Sequence, residues 1–92
     1  MIKSFGHRGL KRFYERGDRS QIHPDLIDRI ETRLARLDVA QRIQDMSVRS
    51  YRLHPLRGDL KGYWSVTVSG NWRIIFRFED GNAFDVKLVD YH

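Results

Sequence analysis

Cysteine is absent from this chain, which excludes disulfides and thiolate metal sites and leaves nothing to argue for an oxidising compartment. Apolar runs are short throughout, so neither a signal peptide nor a membrane span is expected, and the cytoplasm is the expected location. The histidines, at positions 7, 23, 54 and 92, show no pair at the local spacing of a metal site and no acid cluster to complete one. No glycine-rich loop leads from a strand into a helix, and no serine occupies a nucleophile elbow, so nucleotide cradling and acyl transfer lack support. No metal and no cofactor is expected. Repeats, low-complexity tracts and linkers are also missing.

What is present fits one domain, residues 1–92, with a single modest core. Lys and Arg number 17 against 12 Asp and Glu, a formal charge of +5 carried mostly by arginine. Arginine binds phosphate bidentately and stacks on bases, so this excess favours a nucleic-acid or acidic protein partner, although simple solubility would also account for it.

The last third reads as three strands. Tyr63–Val68 alternates Trp64, Val66 and Val68 with polar residues, and Ser69-Gly70-Asn71 turns the chain back. Trp72–Phe78 then puts Trp72, Ile74, Phe76 and Phe78 on one face, with Arg73, Ile75 and Arg77 on the other. A second turn, Glu79 to Asn82, leads to Phe84–Leu88, where Phe84, Val86 and Leu88 share a face. Strands joined this closely are antiparallel neighbours.

Upstream, Ile2 and Phe5 flank a possible edge strand. Leu10, Phe13 and Tyr14 fall at helical spacing until Gly17 stops the run. Pro24 opens a second helix with His23 as its cap; Leu26, Ile27, Ile30, Leu34 and Leu37 form its apolar stripe. Arg29, Arg33 and Arg36 form another stripe, an ordinary solvated face when taken alone and a phosphate rail beside RNA. A third helix is expected over Val39–Met46, capped by Asp38, with Ile43 and Met46 inward. Residues 47–62 read as irregular chain loaded with Arg49, Tyr51, Arg52, His54, Arg57 and Lys61. The order implies an α+β domain, with helices on one face of a largely antiparallel sheet of about four strands and the other face open.

One reaction class needs none of the missing parts. RNA supplies its own nucleophile, the 2′-hydroxyl, so cleavage needs only a base, an acid and cations for the phosphorane. His54, Asp90, Tyr91 and His92 are candidates for proton transfer, and Arg57, Arg73 and Arg77 for fixed cations. As the last residue, His92 carries an α-carboxylate beside its ring; with Asp90 near, the imidazolium is favoured, which suits an acid. A frayed terminus is the plain alternative for His92, a merely hydrogen-bonded loop histidine for His54, and core packing for Trp64 and Trp72. Strict alternation puts Asp90 and His92 on the side of Val86 and Leu88, so a bulge or a departure from the sheet is needed to aim them at the open face.

Arg52-Leu53-His54-Pro55-Leu56-Arg57-Gly58, Tyr63–Val68, Asn71-Trp72-Arg73-Ile74 and Asp90-Tyr91-His92, with Ile2 to Phe5 at the start, give the chain a resemblance. It resembles the HigB (killer-protein) branch of the RelE superfamily of toxins from toxin–antitoxin systems. The resemblance implies a microbial RNase fold and an mRNA interferase cutting messenger RNA in the ribosomal A site. It also implies a HigA-like helix-turn-helix antitoxin as partner, and operator DNA reached only through that antitoxin. It makes His54, Asp90, Tyr91 and His92 the catalytic set, with Arg73 on the phosphate. Several relatives have lysine at position 57; Arg57 cannot transfer a proton and takes an electrostatic role. Asp90 is the first choice for base and His92 for acid. Arg29, Arg33, Arg36, Arg49, Arg52 and Lys61 are candidates for ribosomal RNA contacts, with Arg77 also on the RNA-binding side.

The competing reading is a non-catalytic basic module that blocks translation by occupying RNA or the ribosome. It shares the charge and the arginines but has no use for Asp90 and His92. A weaker third reading is a corepressor acting through its antitoxin, since the chain has no helix-turn-helix signature of its own.

Overall fold

The computed structural model describes residues 1–90; Tyr91 and His92 lie outside the described residues. Two α-helices precede a four-stranded antiparallel sheet in the order β1-β2-β3-β4. These are α1 (Arg8–Arg16), α2 (Ile27–Val39), β1 (His54–Pro55), β2 (Trp64–Ser69), β3 (Trp72–Glu79) and β4 (Asn82–Asp90).

Local chemistry sets each helix boundary. The His7 ring accepts the Leu10 amide at 2.9 Å as the cap of α1, and Gly17, at φ 69°, closes that helix in the left-handed region. His23 caps a 3-10 turn, Pro24–Leu26, that leads into α2. Leu10, Phe13, Ile30, Leu34 and Leu37 then cover the sheet face formed by Val66, Val68, Ile74, Phe76, Ala83, Val86 and Leu88. The β3–β4 turn is Asp80-Gly81 with both residues at positive φ, the geometry that matches strand twist in a two-residue hairpin.

Ile2 and Phe5 add parallel bridges to Ala83 and Val86 along the free edge of β4, as isolated rungs rather than a strand. The sheet reaches four strands through His54–Pro55, in a stretch that reads from sequence as irregular.

The expected helix over Val39–Met46 does not form. α2 runs on through Asp38 and Val39, and Ala40 leaves it in extended conformation. Asp38, far from capping a new helix, accepts the Ile2 amide at 2.9 Å, which holds its carboxyl below the usual carboxylate range. Asp45 takes the amides of Gln41 and Arg42 and closes a 3-10 turn, Ile43–Met46. Met46 still ends fully buried and Ile43 partly so.

Phe84 is a second correction. Asp85, at φ 53°, is an extra residue in β4, so Ala83 and Val86 face the core while Phe84 pairs with Arg77 on the other side. Ser4 Oγ accepts the Asp85 amide at 2.8 Å, so the bulge is tied to the N-terminal segment. Nor is the face away from the helices simply open, because Leu56, Ser65 and Ile75 are buried there, outside the main core.

Candidate nucleic-acid interface and catalytic site

β1 pairs only with Trp64 and Ser65, so the rest of β2 has a free outer edge. Unpaired carbonyls there need donors, and α2 supplies them. Arg33 Nε donates to Thr67 O at 2.7 Å and Arg29 Nη1 to Val68 O at 3.3 Å. Arg33 also donates from Nη1 to Arg29 O, and its guanidinium carbon lies 4.3 Å from the centre of the Tyr51 ring. Only 8% of Arg33 is exposed, and burial lowers its pKa from the ordinary arginine value, although a guanidinium remains charged at any working pH.

These contacts frame a groove of about 550 Å³ lined by Arg29, Arg33, Arg52 and Arg73, with Thr67–Gly70 along its side. Among the described residues, no carboxylate lines it. Arg73 Nη1 reaches back to Gly70 O at 2.6 Å, which folds its side chain over the β2–β3 turn. Four guanidinium groups therefore surround one concavity, an arrangement that focuses positive potential.

Two of the proton-transfer candidates are tied to residues at or next to the groove lining. Arg52 is in the left-handed region at φ 50°, and its carbonyl lies 2.9 Å from His54 Nδ1. A carbonyl only accepts, so Nδ1 carries the hydrogen, and in the neutral ring the free lone pair is on Nε2. His54 is exposed and paired with Ser65 across the β1–β2 ladder. At the other end, Asp90 pairs with Trp72, the residue before Arg73, in the outermost β3–β4 rung. The bulge at Asp85 lies upstream of it, so Asp90 keeps the parity of Val86 and Leu88 at the end of the sheet. Tyr91 and His92, the remaining members of the expected set, lie outside the described residues.

Other expected site residues disperse. Arg57 is exposed at the start of a 3-10 turn, Gly58–Leu60. Arg77 is held by Asp85, with Nη2 to Oδ2 at 2.8 Å, so its charge is already answered. Arg36 Nε donates to Asp45 O at 2.7 Å, while Arg49 and Lys61 are exposed outside the groove. The proposed stripe of Arg29, Arg33 and Arg36 is thus split: two members serve the groove and the third braces the 3-10 turn after α2. Sequence reasoning missed Tyr51 as a partner for Arg33, and Thr67–Gly70 as a groove wall. One signal was available, since Leu26, Ile30, Arg33 and Leu37 run at spacings of four, three and four, which puts Arg33 on the buried stripe. Among the described residues, no group of three or more metal-ligating side chains comes together, and no helix is long and apolar enough to cross a membrane.

Comparison with known proteins shows the family. The family profile described as a RelE-like toxin of the type II toxin–antitoxin system HigB matches residues 3–92. The chain is 48% identical over 92 residues, all of both proteins, to a protein of Proteus vulgaris named Endoribonuclease HigB. It is 33% identical over 90 residues to Toxin HigB-1 of Vibrio cholerae, covering 96% of this chain and 95% of that one. The fold is similar to the crystal structure of a YafQ mutant from E. coli, with a TM-score of 0.61 at 18% identity, covering 98% and 91% of the two chains. With nearly its whole length matched, the chain belongs to the HigB-like family of RelE-like toxins from type II toxin–antitoxin systems.

Proposed function

We propose that this protein is an endoribonuclease toxin that cuts messenger RNA in the ribosomal A site and is neutralised by a HigA-like antitoxin, through which alone it reaches operator DNA. The observation that carries the reading is the groove: four arginines with no carboxylate among the described residues that line it, His54 joined to Arg52, and Asp90 one residue beyond Arg73's strand partner. Membership of a type II toxin family supplies the antitoxin.

In this reading His54 Nε2 accepts the 2′-hydroxyl proton, and the 2′-oxygen attacks the adjacent phosphorus. The bond to the 5′-oxygen breaks, leaving a 2′,3′-cyclic phosphate on one fragment and a 5′-hydroxyl on the other. His92 returns a proton to the departing oxygen, Asp90 and Tyr91 complete the proton-transfer set, and Arg73 and Arg57 balance charge on the phosphorane. The lone pair left on Nε2 supports His54 as the base in place of Asp90, the first choice from sequence. Arg36, Arg49 and Lys61, exposed outside the groove, are assigned to ribosomal RNA.

Primer extension on a reporter message, with translating ribosomes and with free RNA, tests this. Wild type should give in-frame cuts only with ribosomes, and His54→Gln and His92→Gln should lose them about a hundredfold or more. Translation arrest without cuts, equal in all three proteins, would mean inhibition by occupancy.

A further inference from the structure

We propose that Arg52 and Tyr51 are positioning residues for His54: the left-handed backbone at Arg52, held by Tyr51 against the Arg33 guanidinium, selects the tautomer that leaves Nε2 bare to accept a proton. The proposal rests on the reading of His54 as the base and adds what keeps it in that form.

A neutral imidazole has two tautomers, and the partner of one nitrogen decides which is populated. Because His54 is exposed, packing does not make that choice. Its partner is the Arg52 carbonyl, 2.9 Å from Nδ1, so the direction of one peptide group fixes the ring. That direction comes from a sharp reversal. The chain leaves the 3-10 turn Arg49–Tyr51 and enters β1 two residues later, and Arg52, at φ 50° and ψ 50°, makes the change of course. A side chain other than glycine is sterically disfavoured there, so the conformation persists only where both flanks are anchored.

Both flanks are anchored. Upstream, Tyr51 is buried, its amide donates to Val48 O at 2.9 Å, and its ring lies 4.3 Å from the guanidinium carbon of Arg33. Arg33 in turn holds Thr67 O, so α2 and the edge of β2 clamp the residue before Arg52. Downstream, Leu53 packs against the core, and His54 pairs with Ser65 across the ladder. Pro55 further restricts the His54 backbone to extended geometry. His7 provides the contrast within the same chain: its Nδ1 accepts the Leu10 amide, so its neutral ring carries the hydrogen on Nε2.

The experiment records nitrogen NMR spectra of the full chain, labelled at histidine, in alkaline buffer where imidazole is neutral, with cleavage on translating ribosomes measured in parallel. His54→Gln assigns the His54 signals. Arg52→Asn and Arg52→Val lose the same guanidinium, but asparagine tolerates the left-handed region and a β-branched residue does not. Wild type and Arg52→Asn should carry the His54 hydrogen on Nδ1, opposite to His7. Arg52→Val should move it to Nε2 and cleave about fivefold more slowly than Arg52→Asn, the factor expected for one ordinary hydrogen bond. Tyr51→Phe, which keeps the ring on Arg33, should retain the wild-type tautomer, and Tyr51→Leu should lose it. His7 should stay constant throughout. The same tautomer and the same rate in Arg52→Val as in Arg52→Asn would overturn the proposal, as would a change at His7 as large as that at His54. A tautomer shift in Arg52→Val with cleavage equal to that of Arg52→Asn would uphold the positioning and count against His54 as the base alone.

Discussion

The guanidinium of Arg33 stacks on Tyr51 at 4.3 Å while its Nε holds the Thr67 carbonyl at 2.7 Å, so one buried charge joins α2, the free edge of β2 and the segment leading to His54. Arg33→Met keeps the apolar stem but leaves the Thr67 carbonyl unpaired, and should cost about 2 kcal/mol in urea unfolding. Arg33→Lys keeps the charge without the planar fork or the stack and should recover less than half of that loss. Equal stability of all three proteins would show that the stack is not holding the edge.

Asp85 carries the bulge that decides which side of β4 faces the core. At φ 53° a β-branched side chain is strained, so Asp85→Val should destabilise by about 2 kcal/mol, while Asp85→Asn, more tolerant of that conformation, should cost under about 1 kcal/mol. Urea midpoints of the two variants give the comparison. A smaller loss for Val than for Asn would mean that the bulge relaxes without penalty.

These two cases show where the sequence is informative about this molecule. The three late strands, both helices and the antiparallel order follow from period-two and helical spacing, because burial on one face imposes those periods. The bulge does not, since alternation through Phe84, Val86 and Leu88 is unbroken on paper and only the Ser4 hydroxyl and the positive φ of Asp85 reveal the extra residue. The helix expected over Val39–Met46 fails for a related reason: Asp38 suits a cap, but its carboxylate is taken by the amide of Ile2, which only the folded chain brings near, while Asp45 takes the local amides of Gln41 and Arg42 and closes a 3-10 turn instead. For the site, residue types pointed to His54, Arg73 and Asp90, yet Arg29 and Arg33 looked solvated until tertiary structure placed them on the edge of β2.

Acid should weaken α1 through its cap. His7 Nδ1 must be unprotonated to accept the Leu10 amide, and burial lowers its pKa below the ordinary value of 6.5. With the folded value depressed, the contribution is complete above 6.5 and is lost as pH falls through the lower folded value. His7→Asn, which can cap at any pH, should therefore show a shallower decline in thermal stability below pH 6.5 than wild type does. Parallel declines would place the acid sensitivity elsewhere.

The central claim is that the 2′-hydroxyl of the messenger is the nucleophile, and one substrate tests it most directly. A reporter message carrying a single 2′-O-methyl group at a mapped cleavage position is translated in vitro with the wild-type protein, and the fragments are analysed by primer extension and end-group chemistry. The account predicts that cleavage vanishes at that position alone, and that unmodified sites yield 2′,3′-cyclic phosphate and 5′-hydroxyl ends. Undiminished cleavage at the methylated position, with 5′-phosphate ends, would contradict it, since an external water would then be the nucleophile.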